Sequence, residues 1–268
     1  MKAKSIRGKT PEEIKLELAE SMSDGFKPTL AIVFLSIKQN RSLVVEILSE
    51  KNIDVIGATS SGEFINGRQS EGEIVILLLH MQKNNYCILF EEIGQRSLEA
   101  ATSHMINDAF QKFDKPAFIL ITTLLTSDGK LLDGEGLVSY IEKLAGPDIT
   151  LFGGMAGDDI TFTGTWIFTS DKSTDYGMAA LVLDETKIEL HGLALSGWKP
   201  MGVFRTVTKS QGNLIYTIDN RPALEMYLYF LGFEESSSND QIEFSTKLAS
   251  ITRFKSNGKT GNQRCVIR

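Results

Sequence analysis

The residues best equipped for chemistry fall in two short stretches, TSSGE at 59–63 and GGMAGDD at 153–159. In both, small residues lead to a glycine followed by a carboxylate. A phosphate cradle would need GxGxxG or GxxxxGK[ST], and neither spacing occurs. GGMAG is followed by Asp158-Asp159 and strand-like ITFTGTWIF, so no helix N-terminus is expected there to offer amides to a phosphate. Adjacent carboxylates can serve Mg²⁺ or Ca²⁺, but neighbours in an extended chain point to opposite sides. Glu63 would be the third ligand if the two stretches faced each other. The alternative is that Asp158 caps backbone amides in its own turn.

Nucleophilic catalysis would need a base for Ser60 or Ser61. The GxSxG spacing is absent, and only His80, His104 and His191 exist, each without an obvious partner. Any of the three could ligate haem, and nothing local singles one out. Glycine turns at strand ends also let a ligand approach the backbone, and open α/β sheets bind ligands at the carboxyl ends of strands. On that reading Ser60, Ser61, Gly62 and Glu63 face Gly153, Gly154, Met155, Gly157, Asp158 and Asp159 across one cleft. Trp198 either walls that cleft or packs in the core.

The elements that must position these residues follow from periodicity. Thr10-Pro11-Glu12-Glu13 opens a helix, with Ile14, Leu18 and Met22 on one face. TLAIVFLS (29–36) reads as a strand buried on both sides, RSLVVEILSEKN (41–52) as a helix, and DVIGATSSGEF (54–64) as a strand running into a turn. Residues 73–81 and 85–93 read as a hairpin around Gln82-Lys83-Asn84, and Leu98–Phe113 as an amphipathic helix. The order then recurs: strand 116–124, helix 134–146 stopped by Gly146-Pro147, strand and glycine turn 150–159, and a hairpin 176–195 turning at Asp184-Glu185. The expected fold class is therefore α/β, with two similar β-α-β-hairpin units from an internal duplication, mixed sheets flanked by helices, and a short β-rich C-terminal extension. The units span 28–113 and 116–195, with an extension 196–232, then a linker and strand-like pieces in 233–268.

Composition narrows the function classes. The 268 residues carry 42% hydrophobic and 23% charged side chains, which is globular usage. A net charge of −6 argues against general nucleic-acid binding. The basic start lacks an apolar h-region and no apolar run is long enough to span a bilayer, so neither a signal peptide nor membrane insertion is expected. Cys87 and Cys265, far apart, make neither a disulfide framework nor a zinc site, and a reducing cytoplasm fits them best.

GATSSGE, GGMAGDD with the downstream TWIF, YGMAALVLD, SGWKPMG and the RPALEMY-YFLG run occur in that order, and together they resemble the FIST domain family over residues 28–232. Residues 1–232 are then an N-type sensory domain, and 241–268 read as the start of the family's C-terminal region. The resemblance implies a cytoplasmic, non-catalytic input domain that binds a small polar ligand, an amino acid or related metabolite. It implies an output partner such as a histidine kinase, a cyclic-dinucleotide enzyme or a chemoreceptor. Some members bind haem and sense nitric oxide, but no histidine here sits in a motif that carries that role over, so no cofactor is expected. Haem-based gas sensing, a serine-dependent hydrolase and a purely structural interaction domain remain as alternatives.

Overall fold

A computed structural model describes residues 1–193, 203–211, 214–230, 253–255 and 264–266. The chain divides into two compact units, Met1–Gly192 and Leu193–Arg268.

The first unit begins with β1 (Lys2–Gly8), α1 (Pro11–Met22), β2 (Leu30–Ser36), α2 (Arg41–Ser49) and β3 (Asp54–Ser60). Each helix starts where its sequence supplies a cap. Thr10 Oγ1 accepts the Glu13 amide, and Asn40 Oδ1 accepts that of Leu43. A short ribbon, β4 (Glu63–Ile65) and β5 (Arg68–Ser70), leads to β6 (Ile74–His80). Then come β7 (Tyr86–Glu92), α3 (Leu98–Lys112), β8 (Pro116–Thr122), α4 (Gly134–Ala145) and β9 (Leu151–Met155). The unit closes with β10 (Ile167–Thr169), β11 (Ser173–Thr174) and β12 (Gly177–Asp184).

These strands form two mixed sheets, ordered β1-β6-β2-β3-β10-β11 and β7-β12-β8-β9. β2 is parallel to β3 and β8 to β9, as the helical crossovers allow, while β6 and β12 run antiparallel to β2 and β8. The layers are helix, sheet, sheet, helix. Ala31, Val33 and Leu35 pack with Ile14, Leu18, Val44 and Leu48 on one outer side. Leu30, Ile32 and Ile56 meet Ala117, Ile121 and Leu181 between the sheets. Phe118, Leu120, Ala180 and Val182 pack with Ala101, Met105 and Leu137 on the other outer side. Strands covered on both faces need apolar residues at every position, which explains the unbroken runs in β2, β8 and β12.

Neither expected hairpin forms. β6 lies between β1 and β2, whereas β7 pairs with β12, and the turn Lys83–Asn85 carries the chain from one sheet to the other. Both edges of β6 are already taken, so β7 has no place beside it. Likewise β12 is flanked by β7 and β8. The chain after it turns on Asp184, whose Oδ1 accepts the Thr186 amide, and lays Ile188 and Leu190 on the inter-sheet core instead of returning as a strand. The two sheets nonetheless share one arrangement. β1-α1-β2-α2-β3 with β6 inserted next to β2 matches β7-α3-β8-α4-β9 with β12 inserted next to β8. This repeat of topology begins one strand and one helix earlier than the order read from sequence.

The second unit contains β13 (Arg205–Gln211), β14 (Leu214–Ile218), β15 (Arg221–Pro222), α5 (Ala223–Phe230), β16 (Arg253–Lys255) and β17 (Arg264–Val266). β13 and β14 pair antiparallel. Asp219 closes the β14–β15 turn by accepting the Thr206 amide at 2.9 Å and Arg205 Nη1 at 3.1 Å. Among the described residues no helix is long and apolar enough to cross a membrane.

Candidate functional site

The two glycine-containing turns meet. β3 delivers Thr59 and Ser60, and Ser61-Gly62 turns the chain so that β4 opens on Glu63. β9 ends beside it. The Gly157 amide donates to the Thr59 carbonyl at 2.9 Å, the Asp158 amide to Ser61 Oγ at 3.1 Å, and the Asp159 amide to the Ser60 carbonyl at 3.3 Å. Gly157 makes this junction sterically feasible. A Cβ there would stand 2.8 Å from the Ser61 nitrogen and 3.0 Å from the Ser60 carbonyl carbon, closer than real Cβ contacts come. Gly153 answers a different need, because a Cβ on it would run into the Leu120 carbonyl of β8.

The junction borders a cleft of about 610 Å³, within the size range of small-molecule sites. Ser60, Ser61, Gly62 and Glu63 line it from one side, and Gly153, Gly154, Met155 and Gly157 from the other. Its remaining walls are apolar: Phe34, Phe64, Val75, Ile119 and Ile121 among them. These wall residues escaped the sequence reading. In an all-apolar run such as β2 nothing distinguishes Phe34, which is 39% exposed, from its fully buried neighbours.

The aspartates are placed differently. Asp158 is buried, and its Oδ2 accepts the amides of Thr163 at 2.8 Å and Gly164 at 3.3 Å, which is the capping role. Asp159 accepts the Ser36 hydroxyl at 2.5 Å and has Lys38 Nζ at 3.9 Å. Neither is among the residues lining the cleft. Trp198 lies outside the described residues.

Glu63 is the buried carboxylate of the cleft. Oε1 accepts the Ser60 hydroxyl at 2.8 Å and Oε2 the Glu73 amide at 3.1 Å. Burial raises its carboxyl above the usual carboxylate range; the two hydrogen bonds oppose this, and the charges of Asp159 and Glu73 reinforce it. A carboxyl raised in this way favours folding while protonated, below its unfolded value, and that contribution is lost as pH rises through the folded value. Glu63→Gln should therefore gain melting temperature relative to the wild type as pH is raised from 4 to 8. A constant difference across that range would show that the carboxylate is not destabilised by burial.

The histidines do not enter the cleft. His80 Nδ1 lies 2.5 Å from the Lys27 carbonyl, and His191 pairs with Glu189 on the surface. His104 Nδ1 lies 2.6 Å from Glu91 Oε1 and 3.6 Å from Asp108 Oδ2, the one His-carboxylate cluster among the described residues with metal-ligand proximity. Arg96 already donates to the other Glu91 oxygen at 2.8 Å, so that buried carboxylate is neutralised without a metal. The hydrogen bond to Glu91 raises His104 above its usual value. Stability from this pair is complete below the unfolded histidine value and fades as pH rises through the folded one. His104→Ala should flatten that decline in a melting series from pH 6 to 9. Burial pushes the Cys87 thiol up to about 11, so it is no nucleophile at neutral pH.

A second, smaller cleft of about 270 Å³ lies against the other face of β9, bounded by Leu137 and Val138 of α4 together with Leu151, Phe152 and Met155.

The family model described as FIST N domain matches residues 29–221. An uncharacterized protein of Methanocaldococcus jannaschii is 21% identical over 239 residues, covering 83% of this chain and 45% of the relative. The chain thus spans less than half the length of that relative.

Proposed function

This chain belongs to the FIST family, whose domains are sensory modules of signal transduction, and on that premise we propose that it binds a small ligand without catalysis. The observation that carries the reading is the junction of the β3 and β9 turns. It joins hydroxyls, a buried carboxylate and a glycine-rich strand end to apolar walls in one cleft. Such a lining suits an amine- or hydroxyl-bearing metabolite of amino-acid type with an apolar portion.

The serines support binding over turnover. Ser60 donates to Glu63 and Ser61 accepts the Asp158 amide, and no histidine stands near to serve as base. A signalling response requires that the ligand bind two states with different affinity. The partner that reads the response is proposed to be a kinase, cyclic-dinucleotide enzyme or chemoreceptor, and the setting the cytoplasm.

Thermal melting against amino acids, nucleotides, sugars and hemin tests the reading. A ligand at 100 times its dissociation constant stabilises by about 2.7 kcal/mol, roughly 5–10 °C for a domain of this size. Gly154→Leu should abolish the shift and leave the fold intact, because a Cβ at Gly154 meets nothing within 4 Å and the residue lines both clefts. No shift with any compound, or a shift unaffected by Gly154→Leu, would remove this cleft as the sensory site. A Soret band on hemin addition would move the reading to gas sensing.

A further inference from the structure

The two sheets differ at one edge. In the first, the far side of β3 is covered by β10, antiparallel, with Ile167 opposite Ala58 and Phe168 opposite Gly57. Ile167 enters the inter-sheet core and Phe168 the helix-side core. In the second, the corresponding side of β9 carries no strand among the described residues. Thr150 and Ala156 bond to β8 through their carbonyl and amide, so the even-numbered residues face β8. Leu151, Gly153 and Met155 then turn their backbone groups outward.

Edge strands are usually blunted by charge, proline or a cover, and LFGGM has neither charge nor proline. Its two glycines leave no side chain to obstruct an incoming backbone. Clefts flank it on both faces, the 270 Å³ one on the helix side and the 610 Å³ one between the sheets, and both are lined by Gly153, Gly154 and Met155. Successive side chains of a strand point to opposite faces, so a segment added here would fill the two clefts alternately, as Ile167 and Phe168 do beside β3.

Charge fixes the direction and the terminus. An antiparallel segment begins at the Met155 end of β9, where Ser60, Ser61 and Glu63 line the cleft. Glu63 has no cation within ion-pair distance among the described residues, and its Oε1 is held only by the Ser60 hydroxyl. We propose that the cleft binds a short apolar peptide with a free N-terminus, added antiparallel to the edge of β9 that no described strand covers, its ammonium taken by Glu63. This rests on the reading of the cleft as the ligand site and names the ligand class.

Isothermal titration of the full chain tests it, with Ile-Phe-Thr amide (the β10 sequence) as probe. N-acetylation, and separately N-methylation of the central amide, should each weaken binding about tenfold or more. Glu63→Gln should erase the difference between the free and acetylated peptides, and Gly154→Leu should abolish binding of both. No peptide binding, or equal binding of the N-methylated peptide, overturns the proposal. If free metabolites shift the melting temperature in a Gly154→Leu-sensitive way while peptides do not, the sensory reading stands and this inference falls. If the chain dimerises in light scattering and Gly154→Leu makes it monomeric, a second copy occupies the edge and the peptide assignment is wrong.

Discussion

Asp158→Ala is expected to lower stability by about 2–3 kcal/mol, because the amide of buried Gly164 and that of exposed Thr163 both lose the carboxylate they donate to. Those amides belong to Thr163 and Gly164, in the segment that carries the chain from the β9 turn to β10. The loss should propagate to both sheets. Thr165 Oγ1 just beyond accepts the amides of Leu124 and Leu125, and β10 pairs with β3. Urea denaturation would measure the change. Asp158→Asn keeps an acceptor oxygen and should cost about 1 kcal/mol. Asp158→Ala unfolding at the wild-type midpoint would refute the capping role and reopen a ligand role for this side chain.

Gly157→Val should cost about 3 kcal/mol by overpacking. Its side chain would strike Ser61 Oγ and, behind it, backbone atoms of Ser60 and Ser61, and the backbone cannot rotate aside as a side-chain tip could. The β3 and β9 turns would have to part, breaking the Gly157–Thr59 and Asp158–Ser61 hydrogen bonds together. Two readouts separate the consequences. The melting temperature should fall by roughly 5–10 °C, and any ligand of the cleft should bind more weakly than to Gly154→Leu-free wild type even at temperatures where the variant remains folded. A Gly157→Val protein with unchanged melting and unchanged binding would mean that the two turns do not form one site.

Much of the first unit was readable one element at a time. The cap at Thr10 and the apolar runs of β2, β8 and β12 mark their elements by local chemistry alone. Pairing was not readable. The run 73–93, two apolar strands around a three-residue polar break, looks the same whether its halves pair with each other or with different sheets. The choice is made by β1 and β2 claiming both edges of β6, and by β12 claiming β7. These partners are distant in sequence, and no local propensity reports them. The helix–sheet–sheet–helix layering was hidden for the same reason, since a strand apolar on both faces does not say which face meets a helix and which a second sheet.

The candidate site divides along the same line. By itself the sequence determined that two turns rich in small residues, TSSGE and GGMAGDD, end strands and carry carboxylates. That follows from residue types that only turns and close approaches require. Only the tertiary structure decided what each carboxylate does. It turned Asp158 onto the amides of Thr163 and Gly164, tied Asp159 to Ser36, and left Glu63 buried against Ser60 on the cleft wall. It also placed β10 on the outer side of β3 while no strand among the described residues pairs with the like side of β9. A side chain's direction and a strand's pairing depend on contacts made across about a hundred residues of chain, which local residue chemistry does not encode.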